Sequence, residues 1–506
     1  MNHNLYALFA ERFPAPSAPL LETEDGETVT YGEIAQRAGR MAAVLAAQGA
    51  RPGDRIAAQV EKSPDALALY LACLRGGFVY LPLNTAYQPP EVAYFLGDAE
   101  PAVFVCRPES LESLEPHARA AHVSAVLTLD GSGGGTFRDR LTHAIDEAPV
   151  HCAGADDLAI IIYTSGTTGR SKGAMLTHGN LRANGEALAS AWDFRSADVL
   201  LHQLPLFHVH GLFISTHCVL LSGARMLFHR KFDAAAALRA LPRATVMMGV
   251  PTYYTRLLAE TAFTRELARN VRLFVSGSAP LLMETFRDFE VRTGQRILER
   301  YGMSEAGVIT SNPLQGDRKG GTVGRPLAGM EVRVAGEGDQ VLPAGENGSV
   351  QIRGESVFKG YWRMPEKIRE EFTPDGWFRT GDVGVFDADG YLSIVGRAKD
   401  LIISGGYNVY PKEIEIELDG LAGVVESAVI GVPHPDFGEA VTAVVILAPG
   451  AAFAEQEAIA LLRTRLANYK VPKRIHVLPE LPRNAMGKVQ KNVLRDRFAE
   501  AVTGKA

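Results

Sequence analysis

LAIIIYTSGTTGRSKG, Leu158–Gly173, sets an apolar run directly before a loop crowded with glycines and hydroxyls that closes on a lysine. The run has the length and composition of a buried strand. Glycine lets a backbone turn sharply and come close to a ligand. Backbone N–H groups, hydroxyls and an ammonium are what a phosphate chain requires. The stretch therefore predicts a phosphate-gripping loop after a strand. It is not a nucleotide P-loop, which needs Gly directly before Lys and Ser or Thr directly after it. Here Arg170 and Ser171 separate Gly169 from Lys172, and Gly173 follows.

Strands and helices alternate on both sides of this loop. TYGEIAQRAGRMAAVLAAQGA begins with an N-cap at Thr30 and keeps apolar residues at helical spacing. DRIAAQV and AVFVC read as short buried strands, and PDALALYLACLRGG as a helix closed by glycine. RMLFH, ATVMMGV and RLFVSGS continue the rhythm, which predicts an α/β architecture of mixed, mainly parallel sheets flanked by helices. Near residue 330 the chain turns β-rich, with MEVRVAG, GSVQIRG and a DADG hairpin signal. Beyond it, two strands and the helix EQEAIALLRTRLAN predict a small α+β domain. The expected division is a large N-terminal domain, 1–398, carrying the β-rich subdomain, and a small mobile C-terminal domain, 399–506, hinged near Lys399.

At 506 residues the chain is too long for one core. Apolar content of 46% and charged content of 22% are ordinary for globular proteins, and a net charge of −6 argues against a nucleic-acid partner. Cys73, Cys106, Cys152 and Cys218 show neither paired nor zinc spacing and are expected to be buried free thiols. No run is long enough to span a membrane, and the N-terminus has no secretory pattern, which together predict a cytoplasmic protein.

Further motifs follow in order: LPLFHVHGL, VRLFVSGSAPL, LERYGMSEAG, FRTGDVG, GRAKD and PRNAMGKVQK. With the opening loop, this series resembles the acyl-adenylate-forming superfamily of acyl-CoA synthetases, carrier-protein adenylation domains and luciferases, over nearly the whole chain. GVPTYYTRLL, GYWRMPEK and GGYNVYPKEIE resemble its malonyl-CoA synthetase branch. The resemblance implies malonate, ATP and CoA as substrates, Mg²⁺ as cofactor, and malonyl-CoA, AMP and pyrophosphate as products.

It also implies roles for particular residues. Thr164, Ser165, Gly166, Thr167, Thr168 and Lys172 would embrace the departing phosphates. Glu305 would be the Mg²⁺ carboxylate, and Ser304 stands where the family usually has Thr. Ser278, Ala279 and Pro280 would lie along adenine, with Tyr301 on its face, inside an ATP-binding stretch that includes Arg300, Gly302, Met303 and Ser304. Asp382 would take the ribose hydroxyls, since a carboxylate can accept two hydrogen bonds, and Arg397 would add a ribose or phosphate contact. Lys488 would meet the substrate carboxylate and the α-phosphate, a task suited to a compact ammonium; out of its motif it would read as a surface lysine. Its acetylation by a protein lysine acetyltransferase would remove that charge. Gly405 and Gly406 would line the pantetheine tunnel, and His208 would border the acyl pocket.

Malonate brings a second carboxylate, which needs a fixed cation in its pocket, and arginine binds carboxylates through two parallel hydrogen bonds. Arg256, after GVPTYYT, is the expected ligand, helped by Ser276 or Ser278, with Arg272 as the weaker candidate. Two enzymatic alternatives stay open: a synthetase for another small acid, and an adenylation enzyme that loads a carrier protein. A binding protein without catalysis is disfavoured, because it would not need Lys172, Glu305, Asp382 and Lys488 together.

Overall fold

The strand Leu158–Thr164 forms as expected and pairs antiparallel with Lys172–Thr177, which places Thr164 opposite Lys172. The structure is a computed structural model that describes residues 2–143, 147–164, 171–404, 407–434, 438–466, 468–484 and 487–502. Ser165, Gly166, Thr167, Thr168, Gly405 and Gly406 lie outside the described residues.

Two sheets organise one compact unit, Met1–Val332 with Ile352–Phe378. In the first, Ala125–Thr128, Val103–Cys106, Arg55–Gln59, Val79–Pro82 and Leu158–Thr164 run parallel before the antiparallel Lys172–Thr177 edge. Val103–Cys106 and Val79–Pro82 are buried at every position, the pattern of strands covered on both faces. The second sheet is nine-stranded, and its parallel centre runs Leu298–Met303, Leu273–Ser276, Val246–Gly249, Val199–His202, Arg225–Phe228 and Pro19–Thr23. The carboxyl ends of such strands are where α/β proteins place ligands.

Local signals in the sequence account for the helices. Tyr31–Ala47 starts with a capping box: Thr30 accepts from the Glu33 N–H, and Glu33 accepts from the Thr30 N–H. Pro64–Gly76 is buried without a break from Ala66 to Leu74 and ends on Gly77 at φ 73°, where glycine carries no Cβ penalty. Cys73, Cys106 and Cys218 are buried, as expected, but Cys152 is exposed. It lies in a connecting segment outside any strand or helix, so the usual burial of cysteine finds no core to enter there.

The second compact unit comprises Arg333–Gln351 and Arg379–Ala506. Its hairpin joins strands ending at Phe386 and starting at Leu392 through the DADG turn. Further on, Val424–His434 and Gly438–Leu447 form a long antiparallel ribbon whose residues alternate between two cores. Val429, Val441, Ala443 and Val445 face one core, while Ala428, Ile430, Val432 and Val444 face the other. Among the described residues no helix is long and apolar enough to cross a membrane.

Buried histidines make the first unit acid-sensitive. His178 accepts the Leu5 N–H at 3.1 Å, and His217 meets the Tyr70 hydroxyl at 2.7 Å. Burial disfavours both imidazolium forms and lowers the pKa to about 4 for His178 and about 3 for His217. The unfolded chain takes up protons near pH 6.5 that these sites refuse until far lower pH. Stability is therefore retained above about pH 7 and lost as pH falls, by up to about 1.4 kcal/mol per pH unit for each group. The urea midpoint should drop clearly between pH 7 and pH 5; a flat profile would contradict this.

Candidate functional site

Arg300 begins the site. It follows Glu299, the register partner of Ser276, at the end of the parallel centre of the larger sheet. Its side chain is buried, and Nε and Nη2 have no hydrogen-bond partner among the described residues. Desolvation lowers its pKa to about 10, which leaves it charged at neutral pH. Gly277 makes room for it: a Cβ there would lie 2.4 Å from Arg300 Nε. Ser276 Oγ, at the end of the neighbouring strand, is buried and also lacks a partner among the described residues.

Two histidines share this region. His208 precedes a π-helical turn, His210–Ser215, a local geometry that occurs often at functional sites. His208 Nδ1 accepts the His210 N–H at 3.2 Å. Burial, and then the charge of Arg300, lower the His208 pKa to about 4, so the ring is neutral. With Nδ1 accepting, the proton must sit on Nε2, and His208 presents a donor there. His210 is fully buried; its Nδ1 lies 3.3 Å from Ser278 Oγ and its Nε2 has no partner among the described residues. Ser278 itself has φ 72°, in the left-handed region that costs a non-glycine residue energy and that clusters at ligand sites. Ala279 is half-buried beside it and Pro280 is exposed.

A second cluster surrounds Glu305. Tyr301, Gly302 and Met303 end one strand, and Ser304–Ala306 turn into the next, Gly307–Ser311. Gly302 is obligatory, since a Cβ there would lie 2.2 Å from the Gly307 carbonyl oxygen. Glu305 is buried in the turn, and Oε1 accepts the Tyr361 hydroxyl at 2.9 Å. The Tyr361 ring lies 4.6 Å from Lys172 Nζ, and Lys172 donates to Glu371 Oε1 at 2.6 Å. Sequence reasoning had no signal for Glu371, which is 199 residues from its partner. Among the described residues no group of three or more His, Cys, Asp or Glu side chains could hold a metal ion. Glu305 alone suits a Mg²⁺ held mainly by phosphate oxygens and water.

In the second unit, Asp382 and Arg397 are register partners, and Arg397 Nε donates to Asp382 Oδ1 at 2.7 Å. Lys488 is exposed. Its N–H donates to Asn484 Oδ1 at 3.0 Å, its carbonyl accepts the Asn484 N–H, and Gly487 before it has φ 74°.

The two other arginines differ from Arg300. Arg256 is exposed in the last turn of the helix Pro251–Ala259. Arg272 is already engaged: Nη2 and Nε grip both oxygens of buried Asp198 at 2.6 and 2.9 Å, and the Trp192 and Asp193 carbonyls accept from Nη1 and Nη2. Arg272 is therefore a structural clamp and not a pocket cation.

Residues 9–362 match the model of the AMP-binding enzyme family, and residues 413–488 match the AMP-binding enzyme C-terminal domain. A crystal structure of ATP-bound MatB from Rhodopseudomonas palustris is 50% identical and superposes with a TM-score of 0.97, covering 99% of this chain and 100% of its own. Malonate–CoA ligase ACSF3, mitochondrial, from Mus musculus is 37% identical over 92% of this chain and 86% of its own length. A feruloyl-CoA synthase from Amycolatopsis sp is 39% identical, covering 94% of each chain.

Replacing Arg272 by Met strands the buried Asp198 carboxylate. Unfolding free energy should fall by about 3 kcal/mol, while the preference among substrates stays unchanged. A stable variant with altered preference would contradict the clamp reading.

Proposed function

The chain belongs to the AMP-binding enzyme family, and from that premise we propose that it ligates malonate to coenzyme A in two steps through malonyl-AMP. In the first step a malonate carboxylate oxygen attacks the α-phosphorus of ATP and the bond to pyrophosphate breaks. In the second the CoA sulfur, its proton lost, attacks the acyl carbon and AMP leaves. A carboxylate cannot be attacked directly because its leaving group would be oxide; the adenylate supplies a good one.

The observation that carries the choice of acid is the buried guanidinium of Arg300, two of whose nitrogens have no partner among the described residues. A substrate that keeps a second carboxylate supplies the missing anion and acceptors together. Sequence reasoning gave this role to Arg256, but burial and unmet donors favour Arg300. The Nε2–H of neutral His208 can donate to the same acid, and Ser276 and Ser278 offer hydroxyls nearby. The mouse malonate–CoA ligase supports the same acid.

Lys172 and the phosphate-loop residues Thr164 to Thr168 would hold the leaving phosphates. Ser278, Ala279, Pro280 and Tyr301 would hold adenine, and Asp382 with Arg397 the ribose. Mg²⁺, held by Glu305 and phosphate oxygens, would neutralise charge on the transferring phosphate. Lys488 would bring its ammonium to the reacting carboxylate, from a mobile C-terminal domain that begins near Lys399. Gly405 and Gly406 would admit pantetheine. We place the enzyme in the cytoplasm, where acetylation of the exposed Lys488 would switch off the first step.

Two measurements test this reading. Offered malonate, methylmalonate, succinate, acetate, hexanoate and a hydroxycinnamate, the enzyme should form AMP and acyl-CoA best with malonate. Preference for a hydroxycinnamate would favour the activity of the feruloyl-CoA relative, and acyl-AMP without CoA product would favour a carrier protein as acceptor. Lys488→Ala should slow adenylation by roughly 10²-fold or more, yet still convert supplied malonyl-AMP to malonyl-CoA. Equal loss of both steps would contradict a role confined to the first.

A further inference from the structure

Lys172 is only 6% exposed, and an ammonium so placed requires an anion. Glu371 supplies it at 2.6 Å, from the last residue of the helix Pro365–Glu371. A carboxylate at that end opposes the helix dipole, so the helix itself gains nothing from it. Tyr361 lies between the two acids of this cluster. Its ring sits 4.6 Å from the Lys172 ammonium, and its hydroxyl donates to Glu305 at 2.9 Å. Burial and then the charges of Glu305 and Glu371 hold the phenol well above its usual range, so it remains a donor. The phosphate-loop lysine and the expected metal carboxylate are thus joined through one tyrosine, and Glu371 occupies the lysine where a phosphate oxygen would otherwise be.

We propose that Glu371 is a positioning residue that holds Lys172 in place of the phosphates and is displaced by the incoming triphosphate. This rests on the reading of Lys172 as a phosphate ligand. Three consequences follow from charge alone. The lysine is kept ordered before ATP arrives, which lowers the cost of ordering it on binding. Nucleotide binding is weakened, since ATP must break an existing ion pair and place like charge beside the carboxylate. Pyrophosphate, once formed, meets a competing anion ready to take back the lysine, so its departure is favoured.

The test uses the full chain with Mg²⁺–ATP and with pyrophosphate as probes. Glu371→Gln, which keeps the shape and removes the charge, should tighten ATP binding in calorimetry roughly three- to ten-fold, the scale of one partly exposed ion pair. It should lower the inhibition constant of pyrophosphate by a similar factor, with kcat unchanged or reduced. Glu371→Asp should stay near the native values, and Glu371→Ala provides a second neutral variant should the amide pack badly. In a Lys172→Met background the Glu371→Gln effect should shrink to the part that repulsion between carboxylate and phosphate alone contributes. Unchanged or weaker ATP binding in both neutral variants, with Lys172→Met still weakening ATP, would overturn the role of Glu371 alone. ATP affinity unaffected by Lys172→Met would instead overturn the reading of Lys172 on which it rests.

Discussion

A guanidinium buried with two nitrogens unsatisfied costs several kcal/mol, and a chain that folds around one must recover that free energy elsewhere. Around Arg300 the surroundings maintain this condition. Gly277 gives up its side chain to make room, and the strand Leu273–Ser276 ends just where the guanidinium lies. His208 and His210 are kept neutral by the same burial and by the arginine's charge, so no second cation crowds the site. Two fused constraints result: a cation that needs an anion, and a wall of neutral donors and acceptors that can orient it. A dicarboxylate meets both, whereas a simple fatty or aromatic acid leaves the charge uncompensated.

Two other cations are satisfied differently. Arg272 and Lys172 are each provided with a carboxylate by the chain, Asp198 and Glu371 respectively. Arg272 is held by four hydrogen bonds, from all three of its nitrogens. Lys172 is paired through a single bond to an acid with about a quarter of its side chain exposed, an arrangement that a stronger polyanion can displace. Arg300 differs from both in having two donors left for a ligand. A permanent clamp, an exchangeable pair and an open socket are built from the same chemistry and differ in how completely the donors are satisfied.

Much of the fold was legible because local rules decide it. The Thr30–Glu33 capping box, the Gly77 stop and the DADG turn each act within a few residues, and fully buried parallel strands leave unbroken apolar runs in the sequence. The site was legible as a set of motifs but not as a geometry. Arg256 follows an expected pocket wall in sequence, yet its position in the last turn of a helix turns it outward. Arg300 sits inside a stretch that resembles a nucleotide motif, so nothing in its neighbours announced a free guanidinium; its condition depends on Gly277, brought alongside by strand pairing. Glu371 was invisible for the same reason, because its partner arrives from 199 residues away. Cys152 shows the limit of composition rules, since an apolar residue is buried only where a core is near.

The central claim is that Arg300 holds the carboxylate that does not react. The most direct measurement is the ratio of kcat/KM for malonate to that for acetate in the native enzyme, in Arg300→Met and in Arg256→Ala. Loss of a buried charge partner should reduce the malonate ratio in Arg300→Met by roughly 30- to 1,000-fold, with ATP affinity little changed and Arg256→Ala close to native. A preserved ratio in Arg300→Met, or its collapse in Arg256→Ala alone, would contradict the account and return the role to the exposed arginine.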